Sequence, residues 1–561
     1  MIDMHLKLAK GISYSQRYPN GADNIDELTD GLPTCESVQW LSFIVHRKTN
    51  LDISECDYNI MGHLMFELDK ELQQRILKFM EQGIDWNDQY IEVPAMLETI
   101  NLLLTKQNDK RQELSAKEKS RLFKAYLIEC DKNLANKVPF DFNNYTADDM
   151  LHYYMPFTLK SNSIMTSKDA MMELVKSKLF LIDFAKSDKE FSAYIKTFMS
   201  YMGCKNASEY MWYVFDISNQ LFLHRPTTNN IDIRLGHNAV LKNILDIMSV
   251  NLCATGEEVN ILEKPLYKVD DNVYCILFFK FFIDKFFHSL IFDLAHAIER
   301  EGIINTTKTP AYIQLKQKIG QKFTEQFLFY TILNRTLVDN GFHKYTGTEL
   351  EEVFGQGMPD YIAYKSNKVF IFEFKDIQMK LDVRGSQDYD KIINFVDHTL
   401  IASETRKPKG ITQLANVIEK HLDKAVNSWQ INGRLQIYPI IVYTDSCFDI
   451  EGFNYYLNNK FKVIMSGKSI NTIWKVKDLI MVNLDTLLMF EKAFKDMAIT
   501  FDVIVDDYLT YRKSDAAYQV VPFNKYLFQR AKAIGYFYKT PPIAWDTIKE
   551  LQDASRNNAE M

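Results

Sequence analysis

Residues 357–375 read Gly357-Met358-Pro359-Asp360-Tyr361-Ile362-Ala363-Tyr364-Lys365-Ser366-Asn367-Lys368-Val369-Phe370-Ile371-Phe372-Glu373-Phe374-Lys375. Two runs rich in β-branched and aromatic residues, Asp360 to Lys365 and Lys368 to Lys375, flank Ser366-Asn367, which suits a two-residue turn. The pattern predicts a β-hairpin. With the chain reversing between those two residues, facing positions sum to 733, so Asp360 lies opposite Glu373.

Side chains alternate along a strand. Val369, Ile371, Glu373 and Lys375 therefore share one face, while Phe370, Phe372 and Phe374 share the other with Tyr361 and Ala363 and are expected to be core. The first set ends in an acid and an amine. Two acids beside a lysine at the end of an apolar hairpin are expensive to bury unless their charge is used. A hard divalent cation, Mg²⁺ or Mn²⁺, suits such oxygen ligands, and Lys375 would orient or deprotonate a water beside it.

Pro359-Asp360 followed by Glu373-Phe374-Lys375 resembles the signature of the PD-(D/E)XK nuclease superfamily, which has the restriction-endonuclease-like fold. In that superfamily the core runs helix, three strands, helix, strand, and the first helix often contributes a glutamate. Here Gly320 to Val338 predicts an amphipathic helix with Glu325 in its first turns, and Phe342 to Tyr345 a short first strand. The hairpin supplies the next two strands. Ile411 to Ser428, with Leu414, Val417, Ile418 and Leu422 at helical spacing, predicts the second helix, and Leu435 to Tyr443 a buried strand.

Gln413 resembles the glutamine that one branch of the superfamily, including processive repair nucleases, carries in that helix. That branch has a tyrosine four positions later, where this chain has Val417. The resemblance covers residues 318–444. It implies an ion held by Asp360, Glu373 and the main-chain carbonyl of Phe374, with Lys375 positioning the attacking water and Glu325 adding a ligand through water. It also implies nucleic acid as substrate, DNA in preference to RNA.

For Glu325 the plain alternative is an acid favoured near a helix N-terminus, and for Gln413 an exposed first-turn side chain. Glu349, Glu351 and Glu352 are competing acids just upstream. The connection from Lys380 to Gly410 carries Lys380, Arg384, Lys391, Arg406, Lys407 and Lys409. Its length suits a substrate-contacting loop or lid, against the plainer reading of a solvated charged face.

The chain has 561 residues, enough for two to four domains. Hydrophobic residues make up 47% and charged residues 25%, the balance of a folded globular protein. The formal net charge of −7 excludes a polycation that coats nucleic acid, so a nuclease needs its positive charge gathered locally. Seven scattered cysteines (Cys35, Cys56, Cys130, Cys204, Cys253, Cys275, Cys447) form no CxxC pair, which fits a reducing cytoplasm. Met1 to His5 carries no signal-peptide pattern. Val273 to Ile298 is apolar but broken by Lys280, Asp284, Lys285, His288 and Asp293, and is expected as a buried helix with no membrane span. No GxxxxGK[ST] motif is present.

The expected organisation is a mainly helical region over 1–305, a mixed α/β nuclease core with a central sheet flanked by helices over 306–500, and a C-terminal extension over 501–561. The boundary is placed at Gly302–Pro310. A strand at Ser37 to Val45, extra strands at Phe461 to Met465 and Leu479 to Val482, and a frayed tail from Asp553 complete the expectation. A large helical region joined to one nuclease core resembles prokaryotic defence effectors, in which the appended part senses or recruits, and the helical region is expected to bind a second copy of the chain or a partner protein. The competing classes are a scaffold or nucleic-acid-binding protein that keeps the fold without catalysis, and a toxin-like effector that cuts RNA.

Overall fold

The computed structural model describes residues 13–19, 21, 23–49, 57–81, 91–134, 146–165, 169–224, 232–250, 260–403, 405, 407–431, 433–515, 517–537 and 539–559. Met1 to His5, Cys56, Cys253 and Arg406 lie outside them. The chain divides into two units, one of Met1–Phe142, Ser167–Tyr312 and Leu551–Met561, the other of Asn143–Thr166 and Ile313–Glu550. The second unit thus takes in residues 143–166, which the sequence places with the helical region, and residues 501–550.

The first unit is mainly helical. It includes one small antiparallel sheet of β1 (Asp232–Arg234), β2 (Leu266–Lys268) and β3 (Val273–Ile276), with β3 in the middle. Two expectations fail here. Ser37 to Val45 lies inside the helix Thr34–Thr49. Cys35, Val38, Leu41 and Val45 recur at helical spacing and are buried, and that periodicity overrides the β-branched content. Residues 273–298 form β3 followed by the helices Phe279–Asp284 and Leu290–Arg300 in place of one helix. Among the described residues no helix is long and apolar enough to cross a membrane. The five described cysteines are free and buried.

The second unit is built on a six-stranded mixed sheet of β4 (His343–Thr346), β5 (Tyr361–Lys365), β6 (Lys368–Lys375), β7 (Gln436–Tyr443), β8 (Lys475–Val476) and β9 (Ile480–Asn483). β4, β5 and β6 run antiparallel in turn; β6 and β7 are parallel, with Lys375 beside Tyr443. The hairpin adopts the register read from its sequence, with Tyr361 facing Phe372 and Lys365 facing Lys368. Ser366 takes a left-handed φ of 55°, which closes the turn.

β7 carries Pro439 in a central strand, where a missing N–H is normally excluded. Lys477 donates to the Ile437 carbonyl, so the Pro439 nitrogen, two residues on, faces the same side. There β8 has ended and β9 has not begun, because the ladder passes from Ile437–Val476 to Ile440–Ile480. The proline sits in the one gap that needs no donor.

Both faces of the hairpin are buried. Phe370 stacks on Tyr438 at 4.6 Å and Phe374 on Phe329 at 4.8 Å. Opposite them, Val369 and Ile371 join one cluster with Ile392, Val396, Leu414, Leu151 and Met155. The connection 380–410 is therefore not a loop. It contains the helix Tyr389–Leu400, capped by Asp388, whose Ile392, Ile393, Val396 and Leu400 are buried. Phe461 to Met465 likewise lies in a helix, Phe453–Ser466, because Phe453, Leu457 and Phe461 share its buried face. Residues 411–428 form two helices, Gly410–Lys420 and Leu422–Ser428, broken at His421. The helix Pro542–Ala559 runs through the stretch expected as a frayed tail.

Candidate functional site

Asp360, Glu373 and Lys375 meet at the open end of the hairpin, where β6 delivers its carboxyl terminus. Beyond the pair Tyr361–Phe372 the ladder stops, and the Asp360 carboxylate takes over, its Oδ2 accepting the Phe374 N–H at 2.6 Å. Lys375 Nζ donates to Glu373 Oε1 at 2.6 Å. Gly347 fixes Asp360 from behind, donating its N–H to the Asp360 carbonyl at 2.7 Å. A Cβ on Gly347 would stand 3.0 Å from that oxygen and 3.2 Å from the Pro359 carbonyl, a tight approach that glycine makes without displacing the backbone of Asp360. Nothing in the sequence marked Gly347, which merely follows a strand.

The helix expected from Gly320 starts at Ala311 and continues through the wide π segment Ile319–Phe329 into Tyr330–Thr336. Glu325 lies in the π segment, far from the N-terminus, so the helix dipole does not account for it. Thr324 occupies the wider turn, donating its hydroxyl to the Ile319 carbonyl at 3.2 Å. Such segments recur at functional positions because they re-aim a side chain within a helix.

The electrostatics bind these groups together. Glu373 is pushed up to about 8, first by burial and then by Asp360, against the pull of Lys375. Glu325 is pushed up to about 7 by burial, Asp360, Asp376 and Glu351, again against Lys375. Asp360 is also raised, burial being the largest cause, with Lys375 and the Phe374 N–H opposing. Burial disfavours the charge on Lys375, yet Glu373, Asp360 and Glu325 together raise it. One ammonium thus lies in the field of three carboxylates and in contact with Glu373.

The other sequence candidates fall elsewhere. Gln413 Oε1 accepts the Gly410 N–H at 2.8 Å and so caps its own helix. Glu349 Oε2 accepts both the N–H and the hydroxyl of Thr346 in a capping box. Glu351 faces the site at a distance, adding to the repulsion on Asp360 and Glu325. Tyr330, which sequence reasoning passed over, is half-buried near Asp360 and pushed up to about 12, first by burial and then by Asp360. The two chains leaving β6 and β7 are stapled, Thr444 Oγ1 donating to Asp376 Oδ1 at 2.8 Å and the Met379 N–H to Asp445 Oδ2 at 2.7 Å.

Among the described residues no three His, Cys, Asp or Glu side chains form a ready-made metal cage. Asp360, Glu373 and the Phe374 carbonyl nonetheless make an oxygen-only set. It suits a small hard ion that takes one or two carboxylates and keeps much of its water. An added double positive charge would also offset the burial and repulsion that raise these acids. The donor set fits Mg²⁺ or Mn²⁺. No family model matches this chain, and no curated protein or solved structure matches it either.

Proposed function

We propose that this chain is a metal-dependent phosphodiesterase that hydrolyses nucleic acid, DNA in preference to RNA, with the unit 313–550 acting as a nuclease core of the restriction-endonuclease type. One observation carries the reading: Lys375 pairs with the buried Glu373 at the carboxyl end of a central strand, within the field of Asp360 and Glu325 and with no second cation among their interactions. Burial raises these acids, and desolvated acids with raised pKa values cluster at working sites.

Asp360, Glu373 and the Phe374 carbonyl would hold the divalent ion, with Glu325 reaching it through water. When bound, the ion supplies Lewis acidity and neutralises charge on the phosphate. Lys375 orients the attacking water through Nζ–H and adds positive charge where the pentacovalent phosphate develops it. The Phe374 N–H holds the Asp360 carboxylate in place, and Gly347 holds its backbone, so the geometry exists before substrate arrives. The order of strands and helices around β6 also supports this reading, whereas the preference for DNA rests on the motif resemblance alone.

A digestion panel tests the proposal: linear, circular and single-stranded DNA beside RNA, with Mg²⁺ or EDTA, for the native protein and Asp360→Ala. Cleavage that requires Mg²⁺ and disappears in the variant is expected. Cleavage unchanged in Asp360→Ala, or no cleavage of any polymer, overturns the proposal. Cleavage confined to RNA would replace the substrate and leave the chemistry standing.

A further inference from the structure

A site crowded with carboxylates repels the polyanion it is meant to cut, so cations must hold the substrate from nearby. The carboxyl ends of β6 and β7 are where open α/β sheets receive ligands, and two cations stand there without a carboxylate partner. Lys316, from the long helix, donates its Nζ to Gln378 Oε1 on the chain leaving β6. Arg384 reaches across to Cys447 Sγ at 3.8 Å on the chain leaving β7. Lys375 and Tyr443 are register partners, and the two exits are stapled together, so both cations share the end of the sheet that bears Asp360 and Glu373.

Their partners distinguish them from the ion-paired cations of this unit. Lys365 and Lys368 are tied to Asp502 and Asp506, Lys468 to Glu419 at 2.8 Å, and Lys391 to Asp382 at 3.0 Å. Lys316 has only a neutral amide, and burial lowers its affinity for its proton while Asp376 and Asp445 oppose this from farther off. A desolvated ammonium held by an amide gains more from an arriving anion than a solvated or ion-paired one does. The guanidinium beside a thiol is in a similar position, with its planar fork suited to phosphate oxygens.

We propose that Lys316 and Arg384 are phosphate-binding cations that seat the backbone of a nucleic acid strand across the exits of β6 and β7, flanking the acidic site. This rests on the nuclease reading and adds where the substrate lies. The contacts read phosphodiesters and not bases, so they serve DNA and RNA alike.

The test is fluorescence anisotropy of labelled duplex DNA, single-stranded DNA and RNA oligonucleotides with the full chain in EDTA, over a salt series. The variants are Lys316→Gln, Lys316→Arg, Arg384→Ala and the pair Lys316→Gln/Arg384→Ala, with Lys391→Ala as an ion-paired control. For duplex DNA each lost phosphate contact should flatten the dependence of log Kd on log salt by about 0.9. The double variant is expected to bind at least tenfold more weakly, Lys316→Arg to retain binding, and Lys391→Ala to match the native chain. A double variant with unchanged thermal unfolding, native affinity and native salt slope overturns this inference and leaves the nuclease reading intact. Failure of the native chain to bind any of the three polymers overturns both together.

Discussion

The two ends of one hairpin carry the same kinds of charge and treat them in opposite ways. At the turn, Lys365 pairs with Asp339 and Asp502, and Lys368 lies 2.7 Å from Asp506, which also accepts the Tyr438 hydroxyl at 2.7 Å. Three acids there meet three cations: Asp339 on Lys365, Asp502 between Lys365 and Lys368, and Asp506 between Lys368 and Lys477. Asp339 is held below the usual carboxylate range by Lys365, and Asp506, despite burial, by Lys368 and Tyr438. At the open end three acids lie in the field of Lys375 alone; burial pushes all of them up, and repulsion from Asp360 adds to the rise of Glu373 and Glu325. The turn end fastens the hairpin to the helix Phe501–Ser514. The open end gathers raised acids around one cation, the reverse of the turn end; raised acids are enriched at working sites but not confined to them, since Asp449, pushed up to about 7 by burial, is a structural partner of Tyr443 and Asn483.

The sharpest way to break that contrast is to remove one lysine from each end. Lys375→Met is expected to lower kcat by about 10²–10³-fold with KM little changed, because its ammonium acts on charge that appears only in the transition state. Lys368→Met is expected to leave kcat unchanged while lowering the melting temperature. Steady-state cleavage and thermal unfolding of both variants decide it. Loss of cleavage in a folded Lys368→Met, or full cleavage in Lys375→Met, would show that the two ends are not different in kind.

The same contrast appears as opposite pH dependence. Glu373 binds its proton more tightly folded than unfolded, so the metal-free protein holds the resulting stability below about 4.5 and loses it as pH rises towards about 8. Glu325 acts in the same direction up to about 7. Asp339 and Asp506, being lowered, contribute stability that is present above about 4 and lost only as pH falls below it. In EDTA the melting temperature should therefore fall by about 3–8 °C from pH 6 to pH 8. Glu373→Gln should flatten that slope. A native protein equally stable at both pH values would remove the electrostatic half of the argument.

How much of this was legible in the sequence follows from the range of each signal. The hairpin register came from period-two alternation and a two-residue turn, both local, and the facing of Asp360 and Glu373 came with it. The helical character of the first unit came from three- and four-residue spacing. Residues 34–49 and 453–466 were misjudged in part because short runs such as Phe461-Lys462-Val463-Ile464-Met465 suit either a strand or a helix until the buried face is known. The connection 380–410 looked like a loop because charges interrupt Ile392, Ile393, Val396 and Leu400. Gly347, Tyr330 and Lys316 were out of reach altogether, since each matters through a neighbour distant in the chain.

A milder test acts on the turn end alone. Asp506 has three partners, Lys368, Lys477 and the Tyr438 hydroxyl, but is about a third exposed. Asp506→Asn is expected to cost about 1–2 kcal/mol by urea unfolding, since solvent screens the ion pairs and the amide oxygen still accepts from Tyr438. Cleavage should be unaffected. A change in kcat at unchanged stability would mean that the turn end communicates with the site through β6.

The smallest expected effect concerns Gln413, the residue whose resemblance and geometry point in different directions. Its Oε1 accepts the Gly410 N–H, and Gly410 holds φ at 40° with its Cα pressed against the Leu400 backbone, where a Cβ would meet the carbonyl oxygen at 2.5 Å. The glutamine therefore closes the first turn at a tight junction between two helices. Gln413→Ala removes that bond and is expected to cost about 0.5–1 kcal/mol, as capping losses do, with kcat and KM unchanged. Gln413→Glu keeps an acceptor and should restore the stability. Should Gln413→Ala instead lose cleavage with its melting temperature intact, the side chain must leave Gly410 when substrate binds, and the site would extend from the hairpin onto the helix Gly410–Lys420.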